Sequence, residues 1–145
     1  MLFPLQTQQG GAEAARLFVP KIIIQDLISR SGRSLAQGGK IDTGARKTII
    51  PIKMASQLGM SEIGEVLVRG FDNRAPAMMC PQFYVRLIIP DLIEESLWVI
   101  GCDREEILLG RDLCQHMLLA AAWRDRWFGL LRGKPLDDSL RSIFE

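Results

Sequence analysis

The stretch Ile41-Asp42-Thr43-Gly44-Ala45-Arg46-Lys47-Thr48-Ile49-Ile50-Pro51 decides how this chain reads. An apolar strand ends at Ile41, Asp42-Thr43-Gly44 makes a sharp loop, and Thr48-Ile49-Ile50-Pro51 resumes extended structure. A carboxylate in such a place is held rigidly by the strands on either side. Gly44 lets backbone pass close behind it and brings N–H groups near its oxygens. The Thr43 hydroxyl can hydrogen-bond backbone across a neighbouring copy of the loop.

Working outward, residues 52–58 have helical spacing, with Ile52, Ala55 and Leu58 on one side and Gly59 as C-terminal cap. Residues 65–69 alternate as a strand, 70–74 carry turn residues and 83–89 return as a strand, making a long hairpin. Residues 97–100 and 107–109 are short apolar strands, and 111–116 make one or two helical turns. Residues 117–123 and 126–131 form a last hairpin turning near Arg124-Asp125, and 135–144 end in a short helix capped by Asp137. On the N-terminal side, residues 17–28 are apolar but interrupted at Pro20, which predicts an edge strand. Residues 1–14, rich in Gln and Gly, read as a flexible arm, leaving 15–145 as one domain. Short strands, few helices and frequent turns give an all-β barrel or sandwich.

The composition agrees. The chain has 145 residues, which suits one domain, and 48% hydrophobic content, which excludes a disordered chain. Lys and Arg total 18 against 17 acidic residues, so nothing in the net charge of +1 calls for nucleic acid or an anionic membrane as partner. Three cysteines without Cys-x-x-Cys spacing and a single histidine argue against a disulfide framework and a zinc site, so no metal or other cofactor is expected. The start of the sequence lacks the basic and apolar regions of a signal peptide, and no apolar run could span a bilayer. A cytoplasmic protein is the default expectation.

One carboxylate is not enough for peptide-bond chemistry, but two facing each other about 3 Å apart cannot both ionise and share one proton. The ionised member takes a proton from a water while the protonated one donates to a carbonyl. A chain with a single Asp-Thr-Gly assembles such a pair only by dimerising about a two-fold axis. The tripeptide alone is a weak signal, and its plain alternative is an Asx-type turn between strands. What strengthens it is a second motif further on, Ile107-Leu108-Leu109-Gly110-Arg111-Asp112-Leu113, an apolar strand running into Gly-Arg-Asp and a helix.

Together these motifs, over residues 35–131, resemble the retropepsin-like aspartic proteases, a family that includes the retroviral proteases and small bacterial relatives. In that family an apolar strand enters Asp-Thr/Ser-Gly-Ala, a second apolar strand follows, a hairpin flap closes over the substrate, and a last strand leads into Gly-Arg-Asp/Asn and a helix. Gly70-Phe71-Asp72 and Leu108-Leu109-Gly110-Arg111-Asp112 look closer to the bacterial members. The resemblance implies a closed β-barrel with a flap over residues 66–85 and one or two short helices, active as a homodimer on a protein or peptide substrate. Asp42 would be the catalytic aspartate, Thr43 would lock the two loops together, and Gly44, with Ala45 beside it, would offer backbone groups to the substrate. Gly70, Phe71 and Asp72 would sit at the flap tip, and Ile49, Ile50 and Leu109 would wall the side-chain pockets. Gly110, Arg111 and Asp112 would be structural.

Two departures stand out. Arg46 and Lys47 occupy positions where viral members carry an acidic partner for the arginine of Gly-Arg-Asp/Asn, so Arg111 needs another, Asp112 or the C-terminal carboxylates. The flap tip also lacks a glycine-rich run, and Phe71 and Arg74 make it bulkier. The rival function is a catalytically inactive module of the same shape, used for peptide binding or dimerisation, because cations near a dyad alter its proton sharing. Trp123 and Trp127 read as core or interface, with a specificity pocket as the lesser reading. Asp103-Arg104-Glu105-Glu106 reads as solvated loop charge.

Overall fold

A computed structural model describes residues 1–7, 15–29, 31–69 and 76–133. In chain order the elements are β1 (Leu2–Pro4), β2 (Gln6–Thr7), β3 (Ala15–Arg16), β4 (Phe18–Asp26), β5 (Ser34–Ile41), β6 (Ile49–Pro51), α1 (Ile52–Gln57), β7 (Gly64–Val68), β8 (Met78–Ile89), β9 (Ile93–Cys102), β10 (Ile107–Leu109), α2 (Arg111–Cys114), β11 (Met117–Ala122) and β12 (Trp127–Arg132). The protein is mainly β. Strands pair in the order β4-β5-β10-β6-β9-β8, and a further β4–β8 pairing closes the ring into a six-stranded barrel. β7 adds to β8 outside the ring and is the open edge of that sheet among the described residues. A separate three-stranded sheet runs β1-β12-β11.

Period-two alternation aims one face of each strand into the barrel. Ile22 and Ile24 from β4, Val85 and Leu87 from β8, Val99 from β9 and Ile107 and Leu109 from β10 are all fully buried. Each such aliphatic side chain contributes about 1.5–3 kcal/mol by leaving water, so the barrel rather than the two short helices holds the site in place. α1 has no side-chain cap at its start. Its end is closed by Gly59 at φ +62°, with Gly59 N–H donating to Ser56 O (3.1 Å) and Met60 N–H to Ala55 O (3.0 Å). That pair of bonds is a Schellman motif, and glycine accepts the left-handed φ without steric cost.

Three expectations change. The segment holding Pro20 is no edge strand: β4 pairs with β5 on one side and β8 on the other. The proline is accommodated because the β4–β5 register shifts between Val19 and Ile22, a bulge in which its missing N–H breaks no ladder bond, and the β8 pairing begins only at Ile23. The beginning of the 1–14 arm is ordered: Leu2, Phe3 and Pro4 pair with Gly129, Phe128 and Trp127. Phe3 is buried and stacks on Phe128 with ring centroids 5.1 Å apart, so two aromatic side chains anchor what polarity alone marked as free. Of the two readings for Trp123 and Trp127, core fails: they are 58% and 47% exposed, and neither lines the cleft described below, while the interface reading stands as an expectation. The terminal hairpin turns over residues 123–126 as expected. Residues 8–14 and the 135–144 helix lie outside the described residues.

Candidate active site

β5 and β10 run parallel, with Ile41 beside Leu109, so their loops leave the same end of the barrel. Asp42 N–H donates to Leu109 O (3.0 Å), which continues the strand pairing one residue into the loop. The chain then turns: Ala45 N–H donates to Asp42 O (3.1 Å), and Gly44 N–H donates to Asp42 Oδ1 (2.9 Å). Asp42 is half-buried, with one carboxylate oxygen fixed by backbone and its side chain on the wall of a cleft. Thr43 and Gly44 are exposed.

The second loop braces the first. Arg111 N–H donates to Ala45 O (2.9 Å), tying the two loops backbone to backbone. Asp112 reaches across to the strand beyond: its Oδ1 accepts from Thr48 Oγ1 (2.7 Å) and its Oδ2 from Thr48 N–H (3.0 Å). Thr48 is fully buried, and its hydroxyl oxygen also accepts from Gly110 N–H (3.1 Å). Gly110 is extended (φ −89°), so its backbone angle would suit any residue; what demands glycine is space. A Cβ there would lie 2.4 Å from the Lys47 carbonyl carbon and 2.8 Å from Thr48 N.

This network answers the missing partner of Arg111 differently from the sequence reading. Asp112 engages Thr48 and Leu113 N–H (2.9 Å) rather than a guanidinium. Arg111 is exposed and forms no ion pair among the described residues. The bracing falls to the carboxylate of Gly-Arg-Asp and to the arginine's backbone. The C-terminal carboxylates lie outside the described residues.

The cleft has a volume of about 630 Å³. Its walls bring together Asp42, Gly44 and Ala45 with Ile49 of β6, Val66, Leu67 and Val68 of β7, and Ile100 of β9. Ile49 faces the cleft while the next residue, Ile50, is fully buried in the core; Leu108 and Leu109 divide in the same way. A strand that walls both the cleft and the core shows alternate residues to each, so of the expected pocket residues Ile50 and Leu109 belong to the core. Gly70, Phe71 and Asp72 lie outside the described residues. Arg104, set aside in the sequence as solvated loop charge, lines the cleft. No local pattern marks it, because its position depends on the β9–β10 turn folding back beside the Asp42 loop.

Cys102 also lines the cleft, with its Sγ 3.7 Å from Cys80 Sγ across the strand pair. Burial pushes its thiol up to about 12, helped by the hydrogen bond to Cys80. Burial likewise raises Cys114, to about 11, with the Asp112 and then the Asp42 carboxylate adding to it. Among the described residues no group of three or more His, Cys, Asp or Glu side chains is placed to hold a metal ion. Nor is any described helix long and apolar enough to cross a membrane.

A closed six-stranded barrel with an Asp-Thr-Gly loop and a Gly-Arg-Asp loop side by side at one end defines the class: the fold is retropepsin-like. Among solved structures, the chain is similar to a retropepsin-like aspartic protease from Rickettsia conorii, at 12% identity and TM-score 0.52, covering 92% of this chain and 94% of that one. The EIAV protease complexed with the inhibitor HBY-793 also matches, at 18% identity and TM-score 0.45, over 76% of this chain and 92% of that one. No protein-family profile and no curated protein sequence matches the chain.

Proposed function

We propose that the protein is an aspartic endopeptidase that works as a homodimer, with Asp42 of each subunit forming the catalytic pair. The observation that carries this reading is the setting of Asp42: fixed through Oδ1 by Gly44 N–H, it faces a cleft of about 630 Å³ whose other walls combine apolar side chains with cationic ones. Two such loops meeting on a two-fold axis bring two carboxylates together, and repulsion between them leaves one proton on the pair. The ionised carboxylate takes a proton from a water as its oxygen attacks the carbonyl carbon of the scissile bond. The protonated one donates to the carbonyl oxygen, and collapse of the tetrahedral species passes a proton to the leaving amine. The substrate lies extended beneath the β7–β8 hairpin, which acts as the flap, and Ile49, Val66, Ile100 and Leu108 receive its side chains.

Arg46 and Lys47 on the cleft wall support a second reading, in which the cleft binds peptides without cutting them. One experiment separates the two. Wild type and Asp42→Asn are incubated side by side with a mixed peptide library from pH 3 to 8, while sedimentation gives the oligomeric state. The expected result is cleavage by a wild-type dimer, with an acid-to-neutral optimum, and a loss of about 10³-fold or more in the variant. Equal cleavage by both removes Asp42 from the mechanism. A folded dimer that binds library peptides but cuts none makes the binding module the better reading.

A further inference from the structure

The cleft is charged in a lopsided way. Four cationic residues line it, Arg46, Lys47, Arg69 and Arg104, against a single carboxylate, Asp42. A two-fold axis would double both sides and leave the ratio unchanged. The imbalance is local, since the whole chain carries a net charge of only +1. None of the four forms an ion pair among the described residues. Arg104 shares a smaller hollow with Arg16, Lys40, Glu105 and Glu106, where Glu106 pairs through Oε1 with Arg16 at 2.6 Å and its Oε2 is buried without a partner among the described residues. Arg104 also has a buried Nε with no hydrogen-bond partner among the described residues.

We infer that the cleft selects peptide segments carrying Asp or Glu side chains beside apolar ones, with Arg46 and Lys47 as specificity-determining residues. This rests on reading the cleft as a peptide site. Arg46 and Lys47 directly follow the Asp42 loop, so their charges lie within a few residues of any bond held at the aspartate. The low-dielectric wall of Ile49, Val66, Ile100 and Leu108 weakens screening there relative to an open surface. An acidic side chain in the bound segment supplies the countercharge the cleft lacks, and a lysine in the same place meets like charge. Arg69 and Arg104 extend the same field to the flap side and the far wall.

The test uses labelled ten-residue peptides built around a central Leu-Phe pair, with Glu, Gln or Lys in the flanking positions. Cleavage is followed with wild type, and binding is followed by fluorescence anisotropy with Asp42→Asn. An Arg46→Gln/Lys47→Gln double variant is run in both assays, and because both side chains are exposed it keeps the wild-type circular dichroism. The expected order is Glu above Gln above Lys, with Glu favoured over Gln by about 3- to 10-fold at low salt. The preference shrinks at 0.5 M salt, where the screening length falls to roughly 4 Å. It also collapses in the double variant. Equal cleavage of all three peptides leaves the peptidase reading intact and overturns this inference. A Glu preference that survives in the double variant overturns the assignment to Arg46 and Lys47. If no peptide is cut but Glu peptides bind best, the inference stands and the peptidase reading falls. Absence of both binding and cleavage overturns both.

Discussion

Asp42 and Asp112 stand at the same end of one barrel, in adjacent loops that follow two parallel strands, and they have opposite surroundings. Asp42 accepts one hydrogen bond, from Gly44 N–H, and opens onto the cleft. Asp112 accepts three, two from Thr48 and one from Leu113 N–H, and both its oxygens are engaged. A carboxylate saturated by donors has little capacity left for a substrate or a water, whereas one held at a single oxygen is oriented and still available. The difference separates the two where residue type alone does not: Asp112 holds the scaffold, and Asp42 keeps an oxygen free, as the proposed mechanism requires.

That division can be broken by substitution. Asp112→Ala is expected to have the largest effect on stability, a loss of about 3 kcal/mol in urea unfolding, because it strands the buried N–H and hydroxyl of Thr48. Gly110→Ala comes next, at about 2 kcal/mol, since its Cβ would meet the Lys47 and Thr48 backbone rather than a side chain that can move aside. Asp42→Asn, which removes activity on the proposed mechanism, is expected to change unfolding free energy by no more than about 0.5 kcal/mol. A large destabilisation by Asp42→Asn with none by Asp112→Ala would reverse the roles.

The smallest effect concerns Cys114, which sits where both carboxylates are felt. With its thiol raised to about 11, it is protonated at neutral pH, so alkylation of native protein by iodoacetamide is slow at pH 7.5 and accelerates as pH rises above 9. The sign for stability follows: a pKa raised on folding contributes fully below the unfolded value of 9.0 and is lost as pH climbs through about 11. Removing either negative charge lowers the Cys114 pKa and speeds its alkylation. Asp112→Asn should do so more than Asp42→Asn, in line with the larger influence of its carboxylate.

The sequence shows the barrel and the position of Asp42 because both rest on local pattern. Alternation marks the strands, and Asp-Thr-Gly between two apolar runs marks the loop. It misses what depends on contacts between distant segments. Leu2, Phe3 and Pro4 look like part of a free arm until Phe128, at the other end of the chain, supplies a stacking partner. Pro20 reads as an edge signal because a bulge cannot be seen from one strand alone. Arg111 looks like the structural cation of its motif, yet the bracing bonds come from its neighbour's carboxylate to Thr48, a link spanning 64 positions. Ile49 and Ile50 look equivalent in an apolar run, and only the closed barrel decides which one faces the cleft.

The edge of β7, unpaired among the described residues, has a consequence for handling the protein. Backbone groups that can take up an extended peptide can equally take up the same strand of another molecule. Here that edge carries Val66, Leu67 and Val68, with Leu67 53% exposed, and Met78 and Met79 on the paired strand are 66% and 56% exposed. Glu65 and Arg69 are the charges beside it. On the proposed peptide-binding reading, the same strand that walls the cleft is where copies of the chain would pair at high concentration, and a seated peptide should reduce that self-association as well as act as a ligand.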